Sequence, residues 1–114
     1  MTKWEPSAVD RKSLEQMLEQ GNDSAVLRYT LGSVCLKEGL LEQAVEHLEA
    51  AIGRDAEHSA SWKAYGKALA GLSRIDDAIT AYEQGILVAS ERGDVQAAKE
   101  MKVFLKRLNK GAVP

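Results

Sequence analysis

Apolar residues return every three or four positions through most of this chain, the spacing that lays them along one side of a helix. Six such segments follow one another. Ser7 to Gln20 carries Val9, Leu14, Met17 and Leu18, with Ser7 placed to cap it and Gly21-Asn22 to stop it. Asp23 or Ser24 caps a second helix from about Ala25 to Lys37, striped by Leu27, Leu31, Val34 and Cys35 and ended by Gly39. The third runs from about Leu41 to Arg54, with Leu41, Ala44, Val45, Leu48, Ala51 and Ile52 on one side. The fourth starts at Ser59 or Ser61 and reaches about Leu72, its buried side marked by Trp62, Tyr65, Gly66 and Leu69. After a turn at Ser73-Arg74 the fifth runs from Ile75 to Glu91 through Ala78, Ile79, Tyr82, Ile86 and Leu87. Gly93 breaks it, and Asp94 caps a sixth from Val95 to Leu108, striped by Ala97, Met101, Phe104, Leu105 and Leu108. Residues 1–6 read as a flexible lead and 110–114 as a frayed tail. Loops this short make consecutive helices antiparallel neighbours.

The pattern also repeats on a longer scale. Moving Ser59–Arg92 back by 34 residues lays it on Ala25–His58: Gly66 falls on Gly32, Ala78 on Ala44, Glu83 on Glu49, Ile86 on Ile52 and Glu91 on Glu57. A fixed period of this length predicts stacked helical hairpins rather than a closed bundle. The expected fold is therefore all-α, with residues 7–109 as one domain. Its parts are an N-terminal helix in 7–24, repeats at 25–58 and 59–92, and a closing helix in 93–109.

These residues resemble the tetratricopeptide repeat family. Trp62, Tyr65, Gly66, Leu69, Ala78, Tyr82 and Gly85 occupy the family's positions in the second repeat, and Leu31, Gly32, Cys35, Ala44, Leu48 and Ala51 in the first. Arg28 stands where the family has tryptophan, and Ala56 and Ser90 where it has proline. The resemblance implies a short right-handed solenoid. The glycines would let the first helix of each hairpin approach the second at Ala44 or Ala78, with Leu48 and Tyr82 filling the space to the next hairpin. Ser7–Gln20 would stand for a preceding second helix, and Val95–Leu108 for a third first helix that closes the stack.

The resemblance also implies a non-catalytic adaptor that binds a protein or peptide on its concave side. The family's groove positions transfer to Val26, Tyr29, Ser33, Leu36 and Lys37, then to Ala60, Lys63, Lys67, Ala70 and Gly71. Lys63 and Lys67 are one helical turn apart and would attract a carboxylate or an acidic side chain. Some family members clamp chaperone tails with lysine, asparagine and arginine. Here the lysines make half of such a clamp, and no asparagine stands at these places. Tyr29, Leu36 and Val26 would supply an apolar floor, unless Tyr29 packs on the first helix.

Composition narrows the rest. The net charge of −2 argues against a nucleic-acid binder. No apolar run approaches a membrane span, and the N-terminus lacks a signal-peptide core. Cys35 is the single cysteine, so no internal disulfide can form; this fits a reducing, cytoplasmic setting, and its core position makes it a small hydrophobe. His47, expected on the outer side of the third helix, and His58 lack companions for a metal set. No phosphate loop or group of acid, base and nucleophile is legible, so neither cofactor nor enzymatic activity is expected. Charge is uneven: Glu38–Glu57 holds six acids and one base, Gly93–Lys110 five bases and two acids. That dipole could align a partner or a second copy. The alternative function is self-association through the sixth helix, where Phe104, Leu105 and Leu108 would not all be covered.

Overall fold

A computed structural model describes residues 10–111. The lead at 1–6 with Trp4, the cap expected at Ser7, Val9 and residues 112–114 lie outside that span. Six α-helices and no strand occur among the described residues: α1 (Arg11–Glu19), α2 (Ala25–Lys37), α3 (Leu41–Arg54), α4 (Ser59–Gly71), α5 (Ile75–Arg92) and α6 (Val95–Asn109). The cap of α1 is Asp10, whose Oδ1 accepts the Lys12 N–H at 3.1 Å. Ser24 caps α2 by accepting the Leu27 N–H at 3.1 Å. Asp94 caps α6 in the same way, accepting from Ala97 at 3.3 Å.

The hairpins α2–α3 and α4–α5 close through the same turn. Leu40 N–H donates to Cys35 O at 2.8 Å, and Arg74 N–H to Leu69 O at 2.9 Å, 34 residues on. The left-handed residue that this turn needs is Gly39 (φ +78°) in the first hairpin and Ser73 (φ +62°) in the second.

Inside each hairpin the helices meet at a glycine, but its partner differs from the one expected. A Cβ on Gly32 would fall 2.5 Å from Leu48 Cγ, and one on Gly66 would fall 2.4 Å from Tyr82 Cε1. The glycines therefore make room for Leu48 and Tyr82, not for Ala44 and Ala78. The alanines are fully buried one turn away. The reason is side-chain length: a large side chain needs a hole opposite it, whereas an alanine fits against an ordinary helix surface. Tyr82 then reaches on to Phe104 of α6, with ring centroids 5.7 Å apart. Burial pushes its phenol pKa up to about 12.

One core runs from Cys35 in α2 to Leu108 in α6, while Leu14, Leu27 and Leu31 form a smaller cluster under α1. Cys35 is fully buried, and burial raises its thiol pKa, as suits a packing residue. Arg28, at the place of the missing tryptophan, joins a polar network instead. It pairs with Asp23 at 2.8 Å, and Asp23 also receives Arg54 at 2.6 Å. Arg28 Nη1 donates to His47 Nδ1 at 3.1 Å, so His47 faces α2 rather than the outside. The stack is elongated, 47 × 28 × 25 Å. No described helix is long and apolar enough to cross a membrane.

Candidate protein-binding groove

The first helices of successive hairpins, α2, α4 and α6, lie side by side and touch in order. Their caps supply a common ruler. Val26 and Ala60 lie two residues after the caps Ser24 and His58, Tyr29 and Lys63 five, Ser33 and Lys67 nine, Lys37 and Gly71 thirteen. Counted from Asp94, the same places on α6 are Gln96, Lys99, Val103 and Arg107.

Most of the expected residues are at least partly exposed. Val26 is 75% exposed and Val103 48%. Tyr29 is half-buried and does not pack on α1; its ring meets His58 edge-on at 4.8 Å. With Ala25, Val26, Asp55 and His58 it lines a depression of about 70 Å³. Ser33 and Ala60 are partly exposed and Lys37 is exposed. Two places face elsewhere: Ala70 is buried and Leu36 is half-buried against the core. Both stand twelve residues after their caps, one turn beyond Gly32 and Gly66, which meet the second helix of their own hairpin. Gly71 is backed by Leu41, 2.9 Å from where its Cβ would be.

The two lysines are held rather than free-swinging. Lys63 Nζ pairs with Glu100 Oε1 at 2.9 Å, and the ammonium lowers that carboxyl's pKa. Lys67 Nζ lies 5.2 Å from the centroid of the Phe104 ring. Both contacts cross from α4 to α6, so they pin the two helices at a set spacing. Around them, Lys37, Lys99 and Arg107 are exposed at the counted positions; the acids beside these positions are Glu100, which pairs with Lys63, and Glu38, which pairs with Arg11.

The α6 contributions were missed by the 34-residue period. Helix α5 has 18 residues against 14 in α3, which moves the third cap to 36 residues after the second. Counting from Asp94, already visible as a cap, would have found Gln96, Lys99, Val103 and Arg107. No group of three metal-ligating side chains occurs among the described residues. His58 Nδ1 is hydrogen-bonded to Ser61 Oγ at 2.7 Å, but Ser61 is 1% exposed and no substrate can reach it.

The tetratricopeptide repeat family model matches residues 25–58. The TPR repeat-containing protein PA0015 of Pseudomonas aeruginosa is 43% identical over 99 residues, covering 87% of this chain and 94% of that protein. The chain belongs to the tetratricopeptide repeat family. The solution structure of protein BPP2914 from Bordetella parapertussis superposes with a TM-score of 0.79 at 40% identity, covering 90% of each chain. The crystal structure of a tetratricopeptide repeat domain protein from Salinibacter ruber gives 0.70 at 29% identity, covering 75% of this chain and 97% of that one. Tetratricopeptide repeat proteins generally mediate protein–protein interaction and are generally non-catalytic, and the hairpin stack described here is their architecture.

Proposed function

We propose that this tetratricopeptide repeat protein is a non-catalytic adaptor that holds an acidic peptide segment across the inner faces of α2, α4 and α6. The observation behind this reading is a field of cations that recurs at matching distances from three helix caps. Lys63 and Lys99 stand five residues on, Lys67 nine, Lys37 and Arg107 thirteen. Lys63 is largely neutralised by Glu100, which leaves Lys37, Lys67, Lys99 and Arg107 to meet carboxylates. Val26, Tyr29 and Val103 offer apolar contact between them. Three helices spaced about 10 Å apart span roughly 20 Å, enough for about six residues of extended chain. So short a groove supports micromolar rather than nanomolar affinity. A cytoplasmic setting that keeps Cys35 as a thiol fits this reading.

Fluorescence anisotropy with a labelled, Glu-rich decapeptide carrying two leucines tests it, beside the same peptide with Gln for Glu. The acidic peptide should bind and the amide peptide should bind at least ~10-fold more weakly. The Lys67→Glu, Lys99→Glu double variant should lose the acidic peptide while keeping its helical circular dichroism. Equal binding of the two peptides, or unchanged binding by a folded double variant, would overturn the proposal.

A further inference from the structure

Among the described residues α6 has no second helix paired with it, and the face this leaves open has opposite charges on its two edges. In the first two hairpins a glycine lies eight residues after the first helix's cap, Gly32 after Ser24 and Gly66 after His58, and there the second helix comes in. Eight residues after Asp94 stands Lys102, which is exposed. A lysine fills the hole that a following helix would use, so the regular stack stops here. Beside it a cleft of about 250 Å³ opens between α5 and α6, bounded by Ser90, Val95, Ala98 and Lys102 among others. Asp76 and Glu83 precede Ser90 at two-turn intervals on the exposed side of α5, so that edge is acidic. Lys106 follows Lys102 by one turn, so the α6 edge is basic. Half-buried Ile79, Ile86 and Leu105 belong to the same end of the core. Leu108 is buried, while Leu105 and Phe104, the latter against Tyr82 and Lys67, are only partly buried, so the three are not all covered.

We propose that this end face binds the same face of a second copy, about a two-fold axis parallel to α5 and α6. Such an axis lays α5 of each copy on α6 of the other. The register agrees: Glu83 lies ten residues before Gly93 and Lys102 nine after it, a difference in height of about 1.5 Å. Asp76 and Lys110 each lie seventeen residues from Gly93. Each acid of one copy therefore comes level with a base of the other, on both sides of the axis. A two-fold turned across the helices would set Lys102 and Lys106 of one copy against the same lysines of the other, at a Coulombic cost. An acidic helix from another protein would suit Lys102 but would meet Glu83 and Asp76 with like charge. The surface is complementary to itself and to neither simple alternative. An 18-residue helix is about 27 Å long and two helices about 20 Å wide, so roughly 1,000 Å² in total is buried. That is the lower bound for a specific interface and makes the dimer weak. Lys99 borders this cleft as well as the groove, whereas Lys67 and Val103 do not line it, so Lys67→Glu alone tests the groove and Glu83→Lys alone tests this face.

Sedimentation equilibrium of the full chain decides the matter. The wild type should move from monomer to dimer over roughly 5–500 µM, and Glu83→Lys alone or Lys102→Glu alone should each weaken the dimer by ~10-fold or more. Mixed at equal concentration, the two variants should recover a dimer of wild-type strength, because each copy then supplies the charge the other lacks. That recovery also shows that both variants are folded. A wild type that stays monomeric to 500 µM overturns the proposal, as does a dimer indifferent to both substitutions or a mixture that stays monomeric.

Discussion

At the scale of single residues, what matters most is the space opposite each side chain. Gly66 is in helix α4 because Tyr82 occupies the volume where its Cβ would be, and the Tyr82 ring is boxed in by Phe104. Gly66→Ala should therefore destabilise the protein by about 1–3 kcal/mol, despite alanine's better helix propensity. Gly53 is the control: it lies in α3 with nothing within 4 Å of its missing Cβ. Gly53→Ala should stabilise by about 0.5–1 kcal/mol, and urea midpoints of the two variants should shift in opposite directions.

His47 supplies a second residue-scale consequence. Burial and the neighbouring Arg28 hold its pKa below the ordinary 6.5. As pH falls through 6.5 the unfolded chain takes up its proton first, so it binds more protons than the fold does. Stability is lost in that window and levels off below the folded-state pKa; above 6.5 both states are neutral and the group contributes nothing. Glu46, Glu15 and Asp23 oppose the shift and Arg28 reinforces it. His47→Gln should flatten the fall in thermal midpoint between about pH 7.5 and pH 5. An unchanged slope would mean that His47 is not the group responsible.

At the scale of elements, one turn is used repeatedly, and its left-handed position shows where the chain departs from the best choice. Gly21, Gly39 and Gly93 take that position without cost, whereas Ser73 takes it at φ +62° with a side chain. The Ser73 hydroxyl makes no hydrogen bond among the described residues, so no compensating contact opposes a change. Ser73→Gly should raise stability by about 1 kcal/mol and slow amide exchange at the α4–α5 turn. The length of α5 acts at the same scale. Its extra turn carries the chain past the 34-residue period, and Ser59 Oγ then donates to Asp94 Oδ2 at 2.8 Å, tying the start of α4 to the cap of α6. Arg92 Nη1 adds a bond to Glu57 O across the same junction.

At the scale of the whole molecule, charge is sorted by face. The acids of α3, Glu42, Glu46 and Glu49, are exposed, and Lys37, Lys63, Lys67, Lys99 and Arg107 of α2, α4 and α6 stand at the groove positions. A net charge of −2 conceals this separation because the two faces nearly cancel. Binding of the acidic probe should accordingly weaken as salt rises, since exposed charges are screened beyond about 8 Å at physiological ionic strength.

By itself the sequence determined the helices, their antiparallel order and the hairpin repeat, because these depend on spacing along one chain: apolar residues at helical intervals, capping residues before them and glycines after. It also marked Gly32 and Gly66 as close contacts and Cys35 as core. Tertiary structure alone decided what each marked residue meets. Leu48 and Tyr82, not the alanines, fill the glycine gaps, because the crossing of two helices selects which side chain falls opposite a hole. Lys63 is spoken for by Glu100, and Lys67 by Phe104, because stacking of the hairpins brings α6 beside α4. Ala70 looks like a groove residue by count and is buried in the core. Neighbours from distant parts of the chain are set by packing, and no one-dimensional period records them.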